Sequence, residues 1–388
     1  MGAPAQNIRL MRILSVCALM DAETGGGNAE RVLQLSKAFL MTGATATVLT
    51  LDIGLTPARY KLFGAVKVIA LPCLQRRFLI PALSNRAIAR AIADADVIHL
   101  TNHWTVLNAI GARIAAKMRK PYVVCPAGAL PVFGRSRILK FVYNAVVGKP
   151  VVRDASAWVA ITDAERHQFS PYAVNPSSVT VIPNGIWIDE FSEKTHKIDY
   201  RTQLGIKDEP VILFVGRLNP IKGPDILLEA FGSARRAGTG GHLLYAGPDE
   251  GMRQSLTRRA NELGLSAHVH FLGYLAHPEK LAAYHAADIV VVPSRSEAMS
   301  LVALEAGACR KPLVLTDRCG FDEVADAGGG LVIPADSSAM RDAILALLND
   351  AALRNGMGAK LRQLIESRYT WPMSAQKYLN LFASVKRG

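Results

Sequence analysis

Short apolar runs alternate along the whole chain with longer segments whose apolar positions recur every three or four residues. The runs read as strands buried on both faces, and the segments read as amphipathic helices. Their alternation is the signature of βαβ units and parallel sheets. In the first half, strands are expected at Arg12–Cys17, Ala46–Leu51, Val66–Leu71, Val97–Leu100, Tyr122–Cys125, Ala157–Ile161 and Ser178–Ile182. Helices are expected at Ala29–Thr42, Pro81–Ala93, Val106–Met118 and Ser136–Arg153. The pattern then restarts, with strands at Val211–Val215, Leu243–Ala246, Val269–Leu272, Ile289–Val292 and Leu313–Leu315. The helices between these are expected at Asp225–Arg236, Gly251–Leu263, Pro278–Ala286 and Ser300–Cys309. Between Phe191 and Glu209 the chain is charged and weakly periodic, which reads as a linker. After Asp336 it is nearly all helix, interrupted at Pro372 before a last helix, Met373–Val385.

The pattern therefore predicts two doubly wound, Rossmann-like α/β domains. They are expected at residues 1–192 and 193–372, with the last helix, 373–388, completing the first. Such sheets bind ligands beyond the C-terminal ends of their strands, so a cleft between the domains is the expected site.

A length of 388 residues suits two domains, and the 50% apolar, 20% charged composition is that of a globular protein. No apolar stretch is long enough to span a bilayer. The run Ile13–Met20, behind Arg9 and Arg12, has the look of a signal-peptide core. A glycine-rich turn and a helix follow it, so it is read as the first buried strand, with residues 1–10 a loose extension. The five cysteines, Cys17, Cys73, Cys125, Cys309 and Cys319, form no C-x-x-C pair; Cys17 and Cys125, in apolar strand-like runs, read as buried small hydrophobes, and the cytosol is the expected compartment. The net charge of +13 is uneven: residues 53–153 hold 16 lysines and arginines against two acids, Asp94 and Asp96. Such asymmetry suggests a polyanionic partner. The basic segments lack interleaved aromatic residues, which argues against nucleic acid.

Three segments carry chemistry. Pro293–Gly307 leaves a buried strand through a polar turn, and Ser300 is placed to cap the helix that follows. Helix starts offer free N–H groups to phosphate oxygens. Ser294, Ser300, Leu301 and Val302 lie around that start, and Glu297 and Glu305 can accept hydrogen bonds from sugar hydroxyls. Gly216–Pro224 follows a strand and opens a helix, so Arg217 and Lys222 form a fork donor and a point charge suited to a diphosphate. Thr24–Arg31 places Gly25, Gly26 and Gly27 between the first strand and first helix, without a full dinucleotide or P-loop motif. Each segment alone also has a plainer reading: solvated acids for the first, although Glu305 sits among apolar neighbours, solvated cations for the second, and a tight turn without a ligand for the third.

Together, in this order, they resemble the family-four retaining glycosyltransferases of the GT-B fold. The resemblance runs through Gly25-Gly26 with Glu30-Arg31-Val32, Asp96–Leu100, Val181–Ile186, Gly216-Arg217 with Lys222-Gly223, Ala246-Gly247-Pro248, Phe271-Leu272-Gly273, Glu297 with Glu305, and Gly328–Val332 with Pro334. It implies that Arg217, Lys222 and the amides of Ser300, Leu301 and Val302 hold the donor diphosphate. Glu305 would bind the ribose, and Glu297 the donor sugar. Phe271, Gly273 and Tyr274 would lie beside the base, with Gly247 nearby. Gly216 and Ser294 complete the donor side, which Gly26 and Gly27 approach from the first domain. Glu297, Arg217 and Lys222 would be the catalytic set.

The chain departs from the family at Ala127, in Cys125-Pro126-Ala127-Gly128, where a histidine is usual. Ala127, Gly128 and His103 are therefore the acceptor-side candidates, with His103 a possible substitute. Ala298 and Ser300 also replace usual glycines. Asp94-Ala95-Asp96 spells a metal-binding D-x-D but precedes its strand, the wrong end for the cleft, and His99/His103 and His268/His270 lack a third ligand. No metal or other cofactor is expected.

The implied reaction is metal-independent, retaining transfer of a hexose-type sugar from a UDP- or GDP-linked donor. A GT-B nucleotide-sugar epimerase and a weakly catalytic sugar-nucleotide binding protein are the alternatives. The expected acceptor is a lipid-linked or membrane-associated glycan intermediate of polysaccharide or glycolipid assembly, met at the cytoplasmic face of the membrane. Two features motivate this. Val97–Arg153 contains nine cations and no acid, and its last helix mixes Ile138, Leu139, Phe141, Val142, Val146 and Val147 with Arg135, Arg137, Lys140, Lys149 and Arg153. A second basic-apolar tip is Arg76-Arg77-Phe78-Leu79-Ile80.

Overall fold

The computed structural model describes residues 11–21, 25–82, 85–132, 137–191 and 198–387. The expected extension 1–10, Thr24, Arg135, Ser136 and the boundary at 192/193 lie outside them. The chain forms two compact units: residues 1–184 with 371–388, and residues 185–370.

The first unit is built on β1 (Arg12–Val16), β2 (Thr45–Leu51), β3 (Lys67–Leu71), a small antiparallel hairpin β4 (Cys73–Gln75) and β5 (Ile80–Pro81), then β6 (Val97–Thr101), β7 (Tyr122–Cys125), β8 (Ala157–Ala160) and β9 (Thr180–Val181). Its main sheet is parallel, in the order β3-β2-β1-β6-β7-β8-β9. Continuous apolar strands explain this geometry: every residue of β6 and β7 is buried, as expected where helices cover both faces. The chain order reverses on either side of β1, which makes a switch point at β1/β6.

The last helix, Trp371–Arg387, belongs to this first unit. Tyr378 and Phe382 pack on Phe39 of the helix Gly26–Met41 and on His99 in the middle of β6. Arg31 is buried beneath them and donates to the Tyr378 hydroxyl and the Cys125 sulfur. His99 is thus a core residue, and burial lowers its pKa well below the usual histidine value.

The second unit holds β10 (Val211–Val215), β11 (His242–Ala246), β12 (Val269–Gly273), β13 (Ile289–Val292), β14 (Leu313–Thr316) and β15 (Gly330–Ile333). These form one parallel sheet, β12-β11-β10-β13-β14-β15, with the reversal at β10/β13. Strand β15 and the hairpin β4/β5 were not anticipated as strands. The expected last helix begins earlier, with Trp371 and Pro372 in its first turn, a position that tolerates proline's missing N–H.

No helix among the described residues is long and apolar enough to cross a membrane.

Candidate functional site

In the second unit the chemistry-bearing segments meet at the C-terminal ends of β10, β11 and β13. Close backbone approach builds this edge. Gly216 N–H donates to Ala246 O (2.8 Å), and Gly247 N–H donates to Gly273 O (2.7 Å). Gly247 has φ +147°, and a Cβ there would lie 1.9 Å from Gly216 O, so only glycine fits. Gly223, at φ +66°, precedes the helix Pro224–Arg236, and a Cβ would lie 2.1 Å from Pro293 O. The loop after β10 is therefore pressed against the loop after β13. Arg295 fastens the two: its guanidinium grips Asp225 at 2.8 and 2.5 Å and Pro220 O at 2.7 Å.

This contact brings Lys222 to Glu297, with Nζ 2.8 Å from Oε1 and both side chains mostly shielded. Ser294 Oγ donates to the other oxygen of Glu297 at 2.9 Å. Arg217 turns the other way and pairs with Glu250 at 2.7 Å, while Asn219 donates to the second Glu250 oxygen at 2.6 Å. Asn219 also accepts the Lys222 N–H at 3.0 Å, so one amide ties both cation positions together.

Ser300 occupies the N-cap position of the helix Leu301–Ala308 but makes no capping bond. The expectation that its side chain caps the helix is corrected. Its hydroxyl is buried and has no hydrogen-bond partner among the described residues. With no side-chain acceptor at this cap, the first-turn amides of Leu301 and Val302 remain available to an anion. Further along, Glu305 is held through both oxygens, by Lys280 Nζ at 2.6 Å and Tyr284 OH at 2.7 Å. Burial first, and then the Glu305 charge, push the Tyr284 phenol well above its ordinary pKa, so it stays a donor. Phe271 stacks on Tyr245 with centroids 5.2 Å apart and Arg253 over its ring, and Tyr274 is exposed.

In the first unit, Gly26 and Gly27 open the helix Gly26–Met41, with Gly26 at φ +54°. The loop after β7 places Ala127 at φ +50° and Gly128 at +83°. Glu165 holds that loop from beneath, accepting from Gly128 N at 2.5 Å and Ile161 N at 2.7 Å. His103 is 1% exposed. Its Nε2 lies 2.8 Å from Asn144 Oδ1, and its ring is enclosed by Trp104, Tyr143 and Tyr172. Burial lowers its pKa to about 4 against the opposing Asn144 hydrogen bond. His103 is thus enclosed in the loop after β6 and is not presented at a surface, while its neighbour Trp104 donates to Ala129 O in the loop after β7.

Two family models match the chain: "Glycosyl transferase 4-like domain" over residues 26–185 and "Glycosyl transferases group 1" over residues 196–364. The chain belongs to the group 1 glycosyltransferases.

Among relatives, a D-inositol 3-phosphate glycosyltransferase from Kineococcus radiotolerans is 33% identical over 258 residues, 61% of this chain and 59% of that one. The corresponding Mycobacterium bovis enzyme is 37% identical over 204 residues, 51% of this chain and 38% of its own. The chain thus matches well under two thirds of the length of these curated relatives. Anabaena HepE, solved with UDP and glucose, superposes with a TM-score of 0.78 at 21% identity, covering 96% of this chain and all of that one. The shared architecture is the GT-B fold.

Within this glycosyltransferase framework, sequence reasoning singled out Arg217, Lys222, Glu297 and Glu305. It missed Glu250, Lys280 and Tyr284, which hold those residues, and Glu165, which holds the loop after β7. Asp96 of the D-x-D-like segment bonds Arg12 and Lys386. Burial works against its ionisation, but hydrogen bonds, chiefly from Arg12, hold its pKa down to about 2.

Proposed function

We propose that the chain transfers a hexose-type sugar from a nucleoside-diphosphate donor to an acceptor glycan, with retention of configuration and without an essential metal. The observation that carries this is the pairing of Lys222 with Glu297 beside an uncapped helix start. A positive group, free amides and a carboxylate there meet the needs of a diphosphate attached to a sugar.

The phosphate–sugar bond breaks as negative charge grows on the departing diphosphate. Lys222, Arg217 and the amides of Leu301 and Val302 stabilise that charge, which is electrostatic transition-state stabilisation. Arg217 and Lys222 are engaged by Glu250 and Glu297 here, so the donor must exchange with or bridge those carboxylates. Glu305, oriented by Lys280 and Tyr284, accepts the ribose hydroxyls. Glu297 contacts the sugar. The acceptor is a lipid-linked or membrane-associated glycan, met at the cytoplasmic face of the membrane.

UDP is the first nucleotide to test, because HepE was solved with UDP. Thermal unfolding in the presence of UDP, GDP and ADP, followed by the matching sugars, tests the reading. A ligand at 100 times its Kd adds about 2.7 kcal/mol of stability. No stabilisation by any of the three would overturn the donor assignment. Donor conversion without an acceptor would instead favour an epimerase.

A further inference from the structure

The helical stretch from Arg137 to Arg153 is built inside out. It runs as the α-helix Arg137–Tyr143, a π-helical turn Asn144–Gly148 and the α-helix Lys149–Arg153. Its early apolar side chains face outward: Ile138 is 80% exposed, Phe141 72% and Val146 70%, with Leu139 and Val142 about half exposed. Spacings of three and four residues put Ile138, Phe141 and Val142 on one face, and Val146 in the π-helical turn is exposed as well. The polar residues turn inward. Tyr143 OH donates to His103 O at 2.9 Å, Asn144 accepts from His103, and Asn144 Nδ2 donates to Tyr172 OH at 3.0 Å. Lys140 lies over Trp104 at 5.4 Å.

A soluble helix normally does the reverse, because each exposed large apolar side chain forgoes the stabilisation of burial. A contiguous apolar face of this kind marks an interaction surface. Its chemistry selects the partner. Arg137 and Lys149 flank it and are exposed, and no aspartate or glutamate occurs from Val97 to Arg153. An apolar face flanked by exposed cations, on a stretch without acids, matches the interface of an anionic bilayer.

We propose that this face docks on anionic lipid, with Ile138, Phe141, Val142 and Val146 in the acyl boundary and Arg137 and Lys149 among the headgroups. The inner face of the same stretch carries the 102–105 loop through Tyr143 and Asn144. Only this helix then separates the bilayer from the 102–105 loop, and the acceptor is drawn from the lipid surface. The docking stands on the exposed face itself, whereas the acceptor step rests on the glycosyltransferase reading above.

Sedimentation of the full chain with vesicles tests the docking. Wild type should pellet with phosphatidylglycerol-rich vesicles, far less with pure phosphatidylcholine, and be released by salt. The double variant Ile138→Ser/Phe141→Ser, whose positions are exposed, should bind the anionic vesicles at least tenfold more weakly with unchanged thermal stability. In Phe141→Trp, emission should shift to the blue on the same vesicles. Equal binding by the double variant, or none by wild type, overturns the inference. So does a dimer in sedimentation velocity that the double substitution dissolves without any vesicle binding, because the face would then join two copies. UDP stabilisation of the same proteins is the independent control. If it persists while vesicle binding fails, only the docking falls; if UDP has no effect, the donor reading falls.

Discussion

The ammonium of Lys222 and the carboxylate of Glu297 lie 2.8 Å apart, although 75 positions separate them in the chain. The contact exists because Gly223 lets the loop after β10 touch Pro293. It sets two competing demands on Lys222, since the charge that would hold a diphosphate is partly neutralised before the donor arrives. Lys222→Ala should therefore lower transfer by about ten- to a hundredfold in kcat/KM, the equivalent of a lost charged hydrogen bond worth roughly 1.5–3 kcal/mol. Glu297→Gln should behave differently. It frees Lys222 and should tighten UDP severalfold while slowing transfer, because the sugar loses a partner. Calorimetric titration with UDP and steady-state kinetics separate the two effects. Unaltered UDP affinity and turnover in both variants would remove this pair from the site.

Glu305 is held at both oxygens, by Lys280 and Tyr284. Neither partner is expected to touch the reacting atoms, so their work is positioning. Lys280→Met and Tyr284→Phe should raise KM for the donor by about three- to tenfold with a smaller change in kcat, as for a misplaced binding group costing roughly 1 kcal/mol. Glu305→Ala should lose more than either. A fall in kcat alone, at constant KM, would argue that these residues do something other than orient the carboxylate.

Much of this arrangement was readable from residues in order along the chain, and the exceptions share a cause. Ile289–Val292 is four apolar residues buried without exception, and its sequence says so. Strand β15 begins inside Gly328-Gly329-Gly330, which punctuates like a turn; only pairing with β14 makes it a strand. The segments holding Lys222 and Glu297 stand out because glycine, charge and a helix start coincide there. Glu250, Lys280 and Tyr284 carry no such local mark, since their roles depend on contacts across strands and helices. The outward apolar face of the helix at residue 137 was suggested by its basic-apolar pattern but not fixed by it. Its periodicity is that of any amphipathic helix, and only packing shows which side faces out.

Gly247→Ala should be severely destabilising. The new Cβ would stand 1.9 Å from Gly216 O at a φ of +147°, so the ends of β10 and β11 must part. A loss of about 2–4 kcal/mol is expected for strain and clash of this kind. Donor protection should weaken too, because Arg217 follows Gly216 directly. Gly240→Ala is the control, where a Cβ meets nothing within 4 Å. Chemical denaturation of the two variants should differ clearly; equal midpoints would mean that the strand ends yield freely.

Transfer should survive EDTA. The charge of the leaving diphosphate can be met by Arg217, Lys222 and the helix-start amides, and Asp96 is already engaged by Arg12 and Lys386. Among the described residues, no group of three or more histidine, cysteine or acidic side chains is arranged for a metal ion. Initial rates with and without chelator decide this. Complete loss in EDTA, restored by Mg²⁺ or Mn²⁺, would show that a divalent cation shares the work assigned here to Lys222.

The last prediction concerns the buried link between the exposed helix and the 102–105 loop. Burial lowers the His103 pKa from about 6.5 to about 4, while the hydrogen bond to Asn144 pulls in the other direction. The unfolded chain takes up a proton at this residue as pH falls through about 6.5, and the folded chain does so only near 4. Stability is therefore complete above pH 6.5 and declines between 6.5 and 4, by about 3 kcal/mol if the whole shift is expressed. Other histidines with lowered pKa values, His99 and His242 among them, add to the same slope, so the difference between proteins is the useful quantity. In His103→Gln, Tm should fall less steeply across this window than in wild type. In Gly148→Ala, a Cβ would lie 2.4 Å from Asn144 Oδ1 and 2.8 Å from the Tyr143 ring, and would push both side chains off their partners. Losing the Asn144 bond removes the one influence that favours the protonated ring. The decline should then continue below pH 4, with an added loss at every pH from the displaced side chains. Melting curves at half-unit steps from pH 8 to 3.5 are sufficient. If wild type and His103→Gln run parallel throughout, His103 is not the buried neutral group described here, and its contact with Asn144 is not what couples the helix to the loop.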